Sequence, residues 1–272
     1  MTSFSFSSAQ SALSHSTIKR FFRTGLLAGL LLGSAPACAQ PLLRIAVASN
    51  FAEASEHIAA GFEQLNAVTV QISSGSTGKL YAQIRHGAPY DIFLAADAAR
   101  PQRLEAEGET VPGTRITYAV GRLALWSRLG RRDGEACRDT IRQGPQKTLA
   151  VANPALAPYG LASEQALRQM NLAQSNEPRR VVGENIAQTW HFVASGAADM
   201  GLVALSQVLL VDRAELDGCI WMVPARLHDP IAQQGVILND SPHARAFMQW
   251  LQSKETTTRL QDMGYALPRE TP

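Results

Sequence analysis

Short apolar runs alternate with amphipathic, helix-length segments along most of the chain, and that alternation constrains the fold more than any other feature. Leu43-Arg-Ile-Ala-Val-Ala precedes a helical face of Phe51, Ala54, Ile58, Phe62 and Leu65. Val68-Thr-Val-Gln-Ile-Ser then alternates as a strand, and Lys79-Leu-Tyr-Ala-Gln-Ile-Arg opens a second helix. Asp91-Ile-Phe-Leu-Ala-Ala-Asp97 gives a third strand, followed by a helix through Leu104. Parallel strands need long crossovers, normally helices, so this order predicts a mostly parallel, doubly wound α/β sheet.

The pattern changes at Thr117–Ser127, where two extended runs adjoin with no helix between them. We expect the chain to cross there into a second lobe, which repeats the logic of the first. Thr148-Leu-Ala-Val-Ala leads through Asn153-Pro-Ala-Leu-Ala-Pro-Tyr-Gly to a helix from about Leu161 to Met170. Arg180-Val-Val is the next strand, and Glu184-Asn185 precedes a helix with Ile186, Trp190 and Val193 on it. Met200-Gly-Leu-Val-Ala-Leu is a third strand. Ile220-Trp-Met-Val and the run from Ile231 to Leu238 lead back to the first lobe, and two helices close the chain, the first capped by Ser241. The expected division is a leader over 1–39, a first lobe over 40–120 completed by 227–272, and a second lobe over 121–226.

The leader reads as a secretory signal. Lys19, Arg20 and Arg23 precede Leu26-Leu-Ala-Gly-Leu-Leu-Leu, and Ala37-Cys38-Ala39 supplies the small residues of a cleavage site. The apolar run is too short to span a bilayer. A lipidated Cys38 is the weaker reading, because Ala35-Pro36-Ala37 lacks the usual upstream leucine. With 25 basic and 23 acidic residues overall, loss of three leader cations leaves a formal charge of (25 − 3) − 23 = −1. That balance, with no basic run or aromatic–basic platform, argues against nucleic acid as a partner. Cys137 and Cys219 remain after cleavage, and an exported protein meets an oxidising compartment, so we expect them to pair.

Ser73-Ser74-Gly75-Ser76-Thr77-Gly78-Lys79 joins a strand to a helix start. The first N–H groups of a helix have no intrahelical acceptor, and together with the positive end of the dipole they form an anion seat. Taken alone, the stretch is read more simply as an ordinary N-cap turn. It is not a nucleotide P-loop, since Ser73 stands where that motif needs glycine and Leu80 where it needs Ser or Thr. Ser49-Asn50, Pro158-Tyr159 and Asn185-Ile186 are further small or polar strand ends, and open α/β sheets bind ligands beyond such ends. Asn50 and Glu53 have the spacing of a capping-box-like pair on the first helix. Neither Ser49 nor Ser76 lies in a Gly-x-Ser-x-Gly elbow, and the scattered histidines offer no metal spacing. The reading is a binding protein with no catalytic residues, no metal held directly by side chains and no cofactor.

Ala48-Ser-Asn-Phe, Ile72-Ser-Ser-Gly-Ser-Thr-Gly-Lys-Leu-Tyr-Ala-Gln-Ile and Gly87-Ala-Pro-Tyr-Asp-Ile-Phe-Leu-Ala-Ala-Asp carry a resemblance. Ala152-Asn-Pro-Ala-Leu-Ala-Pro-Tyr-Gly, Gly183-Glu-Asn-Ile and Ser195-Gly-Ala-Ala-Asp-Met-Gly-Leu-Val-Ala-Leu extend it over nearly all of the chain beyond the leader. The sequence resembles the periplasmic molybdate-binding proteins of ABC transporters. That resemblance implies a two-lobed type II periplasmic binding fold closing over molybdate or tungstate, a membrane permease as partner, and a monomer. It implies oxyanion contacts from Ser49, Asn50 and Thr77, with Ser76 competing for the role of Thr77, and from the backbone N–H groups of Tyr159 and Ile186. Where one branch of the family has a tyrosine, Ala204 stands here, and Asn50 is the expected substitute. Another tetrahedral oxyanion such as sulfate is the alternative ligand, and a small-molecule transferase on the same fold is the alternative class.

Overall fold

The computed structural model describes residues 40–171, 178–212 and 216–268. The leader, with its expected cleavage near Ala39, lies outside the described residues. Strands β1 (Leu42–Ala48), β2 (Thr69–Gly75), β3 (Ile92–Leu94) and β4 (Ile116–Gly121) join β10 (Ile231–Ile237) in one five-stranded sheet, ordered β2-β1-β3-β10-β4. Strands β5 (Leu123–Ser127), β6 (Thr148–Ala152), β7 (Arg179–Gly183), β8 (Met200–Ala204) and β9 (Cys219–Met222) form a second, ordered β7-β6-β8-β5-β9. In each sheet one strand alone opposes the rest: β10 is antiparallel to β3 and β4, and β5 to β8 and β9. Each lobe is therefore mostly parallel, and its reversed strand is the one that has just arrived from the other lobe.

Crossover helices cover both faces. In the first lobe these are α1 (Ala52–Leu65), α2 (Thr77–Arg85) and α3 (Ala99–Ala106), with α8 (Pro242–Leu251) and α9 (Lys254–Asp262) added by the returning chain. Successive strand residues point to opposite faces. Leu43, Ile45 and Val47 accordingly pack with Ile58, Phe62 and Phe247, while Ala46 packs with Leu80, Ile84 and Leu104. Ser241 caps α8 as expected, accepting from the Ala244 N–H at 3.1 Å.

In the second lobe α4 (Glu135–Arg138), α5 (Pro158–Gln169), α6 (Ile186–Ala194) and α7 (Leu205–Leu209) take the same roles. Leu149 and Val151 meet Ala162, Ala166 and Leu167 on one face, and Ala150 meets Val193 on the other. Cys137 on α4 and Cys219 on β9 form a disulfide with Cα atoms 5.6 Å apart. The helix expected from Leu161 begins at Pro158, because proline at the first helical position gives up an N–H that has no partner there anyway.

Two crossings connect the lobes. Arg122 alone separates β4 from β5, and Val223–Pro230 separates β9 from β10. An isolated bridge between Val120 and Ala266 ties the C-terminal end to the first crossing.

Candidate functional site

Four helix starts converge on one small cavity between the lobes. Ser49 and Asn50 come from the turn before α1, Ser76 and Thr77 from the start of α2, Tyr159 from α5 and Ile186 from α6. Every residue the sequence singled out for oxyanion contact thus lines the same space, with Ser76 beside Thr77. Asn50, Ser76, Thr77, Tyr159 and Ile186 are each 1–4% exposed. The cavity measures about 10 Å³, on the order of the room one water needs, so the lobes as they stand must part slightly to admit anything larger.

The donors differ in what already occupies them. The Ser49 N–H is given to the Gly75 carbonyl at 2.9 Å, which leaves its hydroxyl for a guest. The Thr77 hydroxyl accepts from the Ala96 N–H at 3.2 Å and keeps its own proton to donate. Ser76 is the N-cap residue of α2, yet its side chain makes no capping bond. Its Oγ is buried and without a hydrogen-bond partner. Leaving a hydroxyl in that state costs about 1–3 kcal/mol, which an acceptor in the cavity would relieve. Tyr159 and Ile186 stand in the first turn of their helices, where backbone N–H groups have no intrahelical acceptor. Asn185 caps α6 by accepting from the Gln188 N–H at 2.9 Å, so the N–H of Ile186 stays open.

Asn50 behaves differently from its sequence signature. It does not cap α1, whose N-cap is Phe51 with no side-chain bond. Its Nδ2 donates to Gln233 Oε1 at 3.0 Å, and its side chain also interacts with the Tyr159 and Tyr265 hydroxyls. Gln233, fully buried on β10, also accepts from the Tyr118 hydroxyl at 3.1 Å and donates to the Tyr159 hydroxyl at 3.4 Å. Tyr265 and Ser206 donate to the Asn50 carbonyl at 2.7 and 3.5 Å. Burial pushes the Tyr118 and Tyr159 hydroxyls well above the usual tyrosine range, so both are neutral donors at any physiological pH. Gly121 makes this crowding possible: a Cβ there would lie 2.2 Å from the Tyr159 hydroxyl. Gln233 was missed in the sequence. The signal available was Gln233-Gln234 interrupting an otherwise apolar strand.

The lobes touch across the cleft mouth. Gly78 N–H donates to the Leu156 carbonyl at 2.9 Å and Arg100 Nη2 to the Ala155 carbonyl at 3.0 Å. Lys79 on α2 forms an exposed ion pair with Glu184. Among the described residues no carboxylate, lysine, arginine or histidine lines the cavity itself. Its chemistry is therefore that of neutral N–H and O–H donors reinforced by four helix dipoles, a setting suited to a compact, fully ionised acceptor.

The sequence matches the family model described as bacterial extracellular solute-binding protein over residues 43–266. The chain belongs to this family. It is 42% identical over 244 residues to the molybdate-binding protein ModA of Azotobacter vinelandii, covering 88% of this chain and 94% of that one. It is 36% identical over 239 residues to the molybdate-binding protein ModA of Rhodobacter capsulatus, covering 87% and 92%. The solved structure of the Azotobacter vinelandii periplasmic molybdate-binding protein superimposes with a TM-score of 0.71 at 35% identity, over 83% of this chain and 99% of that chain. The two-lobed solute-binding fold that the family resemblance implies is the fold of that neighbour.

Proposed function

We propose that this solute-binding protein captures molybdate or tungstate outside the cytoplasm and delivers it to the membrane permease of an ABC importer. The observation that carries the reading is the convergence of four helix starts, two from each lobe, on one cavity whose lining offers neutral donors and, among the described residues, no ionised group. The relatives named above bear the same ligand in their names. Ser49 and Thr77 supply hydroxyls, Asn50 its amide, and Tyr159 and Ile186 backbone N–H groups. Ser76 joins them, because its hydroxyl is the buried one that lacks a partner. The segments 40–120 with 227–272, and 121–226, then act as the two closing bodies, and residues 1–39 direct export and are cleaved off near Ala39. Working as a monomer, without nucleic acid and without turnover of its ligand, completes the reading.

Calorimetric titration of the mature protein with molybdate, tungstate, sulfate and phosphate tests it. The expected result is one site per chain for molybdate and tungstate, with sulfate weaker because its oxygens lie closer to the central atom. Phosphate should fail because near neutral pH it keeps a proton that an all-donor site has no acceptor for. A ligand present at about a hundredfold over its Kd adds roughly 2.7 kcal/mol of stability, so thermal unfolding should shift upward with molybdate. Absence of binding and of any shift with both molybdate and tungstate would overturn the proposal. Sulfate binding as tight as molybdate would favour the general oxyanion reading, and recovery of a chemically altered ligand the transferase.

A further inference from the structure

A second and much larger cavity, about 610 Å³, lies where the two crossings pass each other. Its walls are Val120, Leu123, Leu205, Met222 and Val223, and it shares no lining residue with the oxyanion cavity. The volume falls within the range of sites that bind small organic molecules, and an apolar wall with a few polar groups is the usual composition. Met222 leaves 61% of its surface exposed there, apolar area that a guest would take out of water.

Among the described residues the ionisable ones of the lining are Arg122, Arg226 and His228, with no carboxylate. Arg122 and Arg226 are exposed, and neither guanidinium has an ion-pair or hydrogen-bond partner among the described residues. Most other arginines among the described residues are paired, as Arg100 is with Asp97 and Arg245 with Asp240. Two unpaired cations beside an apolar hollow complement a molecule with an apolar body and an anionic head.

Position gives such a guest leverage. The walls come from both lobes and from both crossings, so rotation of one lobe against the other changes the cavity's shape. Gly121 lines it and at the same time packs against the hydroxyl of Tyr159, a residue that lines the oxyanion cavity, so the two cavities are joined through this one contact. We propose that the crossing cavity binds a small apolar organic acid, carboxylate or sulfonate, and that its occupation favours the closed arrangement of the lobes. A molecule that fits the closed form better than the open one shifts the equilibrium by that difference in affinity. By linkage it then tightens oxyanion binding, and the oxyanion tightens its own by the same factor.

The binding claim stands independently of the proposed function, whereas the coupling claim rests on it, and the test separates the two. The mature protein is titrated with 1-anilinonaphthalene-8-sulfonate, followed by fluorescence without molybdate, and the bound dye is then competed with decanoate. We expect saturable binding at one site, displacement by decanoate, at least tenfold weakening in Arg122→Ala/Arg226→Ala, and loss in Ala225→Trp, which places a ring in the cavity from an exposed lining position. Circular dichroism and thermal unfolding of both variants should match the parent. Dye binding unchanged in both variants, or no saturable binding by the parent, overturns the site. Saturating dye should tighten molybdate binding at least threefold in the parent and leave it unchanged in Ala225→Trp. Dye binding without that effect overturns the coupling alone. Dye binding with binding of neither molybdate nor tungstate would leave the site standing and defeat the proposed function.

Discussion

In the first lobe β1, α1, β2, α2 and β3 follow one another as β6, α5, β7, α6 and β8 do in the second, and the two sheets share one strand order. Even a local device recurs. Asp91, just before β3, accepts from the Arg44 N–H of β1 at 2.7 Å, and Asp199, just before β8, accepts from the Thr148 N–H of β6 at 2.8 Å. Burial works against ionising Asp199, but the N–H and hydroxyl of Thr148 outweigh it and hold the carboxyl below its usual range. The lobes part company in how they furnish the site. Under the proposed function the first brings side chains, the Ser49, Ser76 and Thr77 hydroxyls and the Asn50 amide, whereas the second brings backbone N–H groups of Tyr159 and Ile186, all six residues lining the one cavity. The second alone carries the described disulfide, Cys137–Cys219. One plan therefore supports two kinds of donor, and the two lobes should respond differently to substitution.

The largest difference expected concerns stability. The Cys137–Cys219 bridge spans 82 positions, and in the chain-entropy account a loop of that length contributes about 4.5 kcal/mol. Replacing both cysteines by serine, or reducing the protein, should lower stability by roughly 2–5 kcal/mol in denaturant titrations. Hydrogen exchange should show the loss first in β5 and β9 and least in β1 and β2. Uniform loss of protection across both sheets would mean that the lobes unfold as one unit and would break the contrast.

Next come the donors themselves. A hydrogen bond to a charged group contributes about 1.5–3 kcal/mol, so Thr77→Ala should weaken molybdate binding by about 10- to 150-fold. Ile186→Val should change it by less than about threefold, because the donor there is the backbone. Ile186→Pro removes that N–H while keeping a residue favoured at the first helical position. Asn185 is already extended, at φ −144° and ψ 175°, as a residue before proline prefers. Its loss, measured by calorimetry against Ile186→Val, should approach that of Thr77→Ala. Equal effects of Ile186→Val and Ile186→Pro would remove the second lobe's N–H from the site.

The same division explains what could be read from the chain alone. The strand–helix alternation, the crossing near Thr117–Ser127, the Ser241 cap and the polar strand ends of the first lobe are local patterns, carried by residue type. Donors supplied by the backbone have no such signature. Pro158-Tyr159 and Asn185-Ile186 were legible as strand ends, but the backbone N–H role of Tyr159 and Ile186 entered through the family resemblance, and nothing in their side chains marks it. The capping reading of Asn50 failed because Gln233, 183 positions away, outcompetes the local N–H groups of α1. Ser76 was weighed only against Thr77, since an unpartnered hydroxyl becomes visible once its surroundings are known.

Gln233 is where the two furnishing schemes meet, holding Asn50 and Tyr118 of the first lobe and Tyr159 of the second. Gln233→Leu keeps the volume but removes the buried acceptor of the Asn50 amide, at a cost of about 1–3 kcal/mol. Molybdate affinity should fall about tenfold, mainly through faster release in stopped-flow measurements. Tyr159→Phe should cost less than Gln233→Leu, because it deletes the longest of the three bonds, at 3.4 Å. If Tyr159→Phe proved the more damaging of the two, the second lobe would be contributing a side-chain contact after all, and the contrast between the lobes would need redrawing.

The smallest effect belongs to the ion pair at the cleft mouth. Lys79 and Glu184 keep 51% and 42% of their side-chain surface exposed. Exposed pairs contribute about 0.2–1 kcal/mol and weaken further with salt. Glu184→Gln should therefore lower molybdate affinity less than about fivefold at low ionic strength, and the difference should vanish near 1 M salt, where the Debye length is about 3 Å. Lys79→Met should give the same result, and the double variant no more than either single one, since each already removes the whole attraction. Calorimetry at low and high salt on all four proteins closes the cycle. A Lys79→Met loss that persists at high salt and exceeds that of Glu184→Gln would show the ammonium acting on the oxyanion through the wall of the cavity. The first lobe would then supply charge as well as hydroxyls, and neutrality of the donor set would no longer describe it.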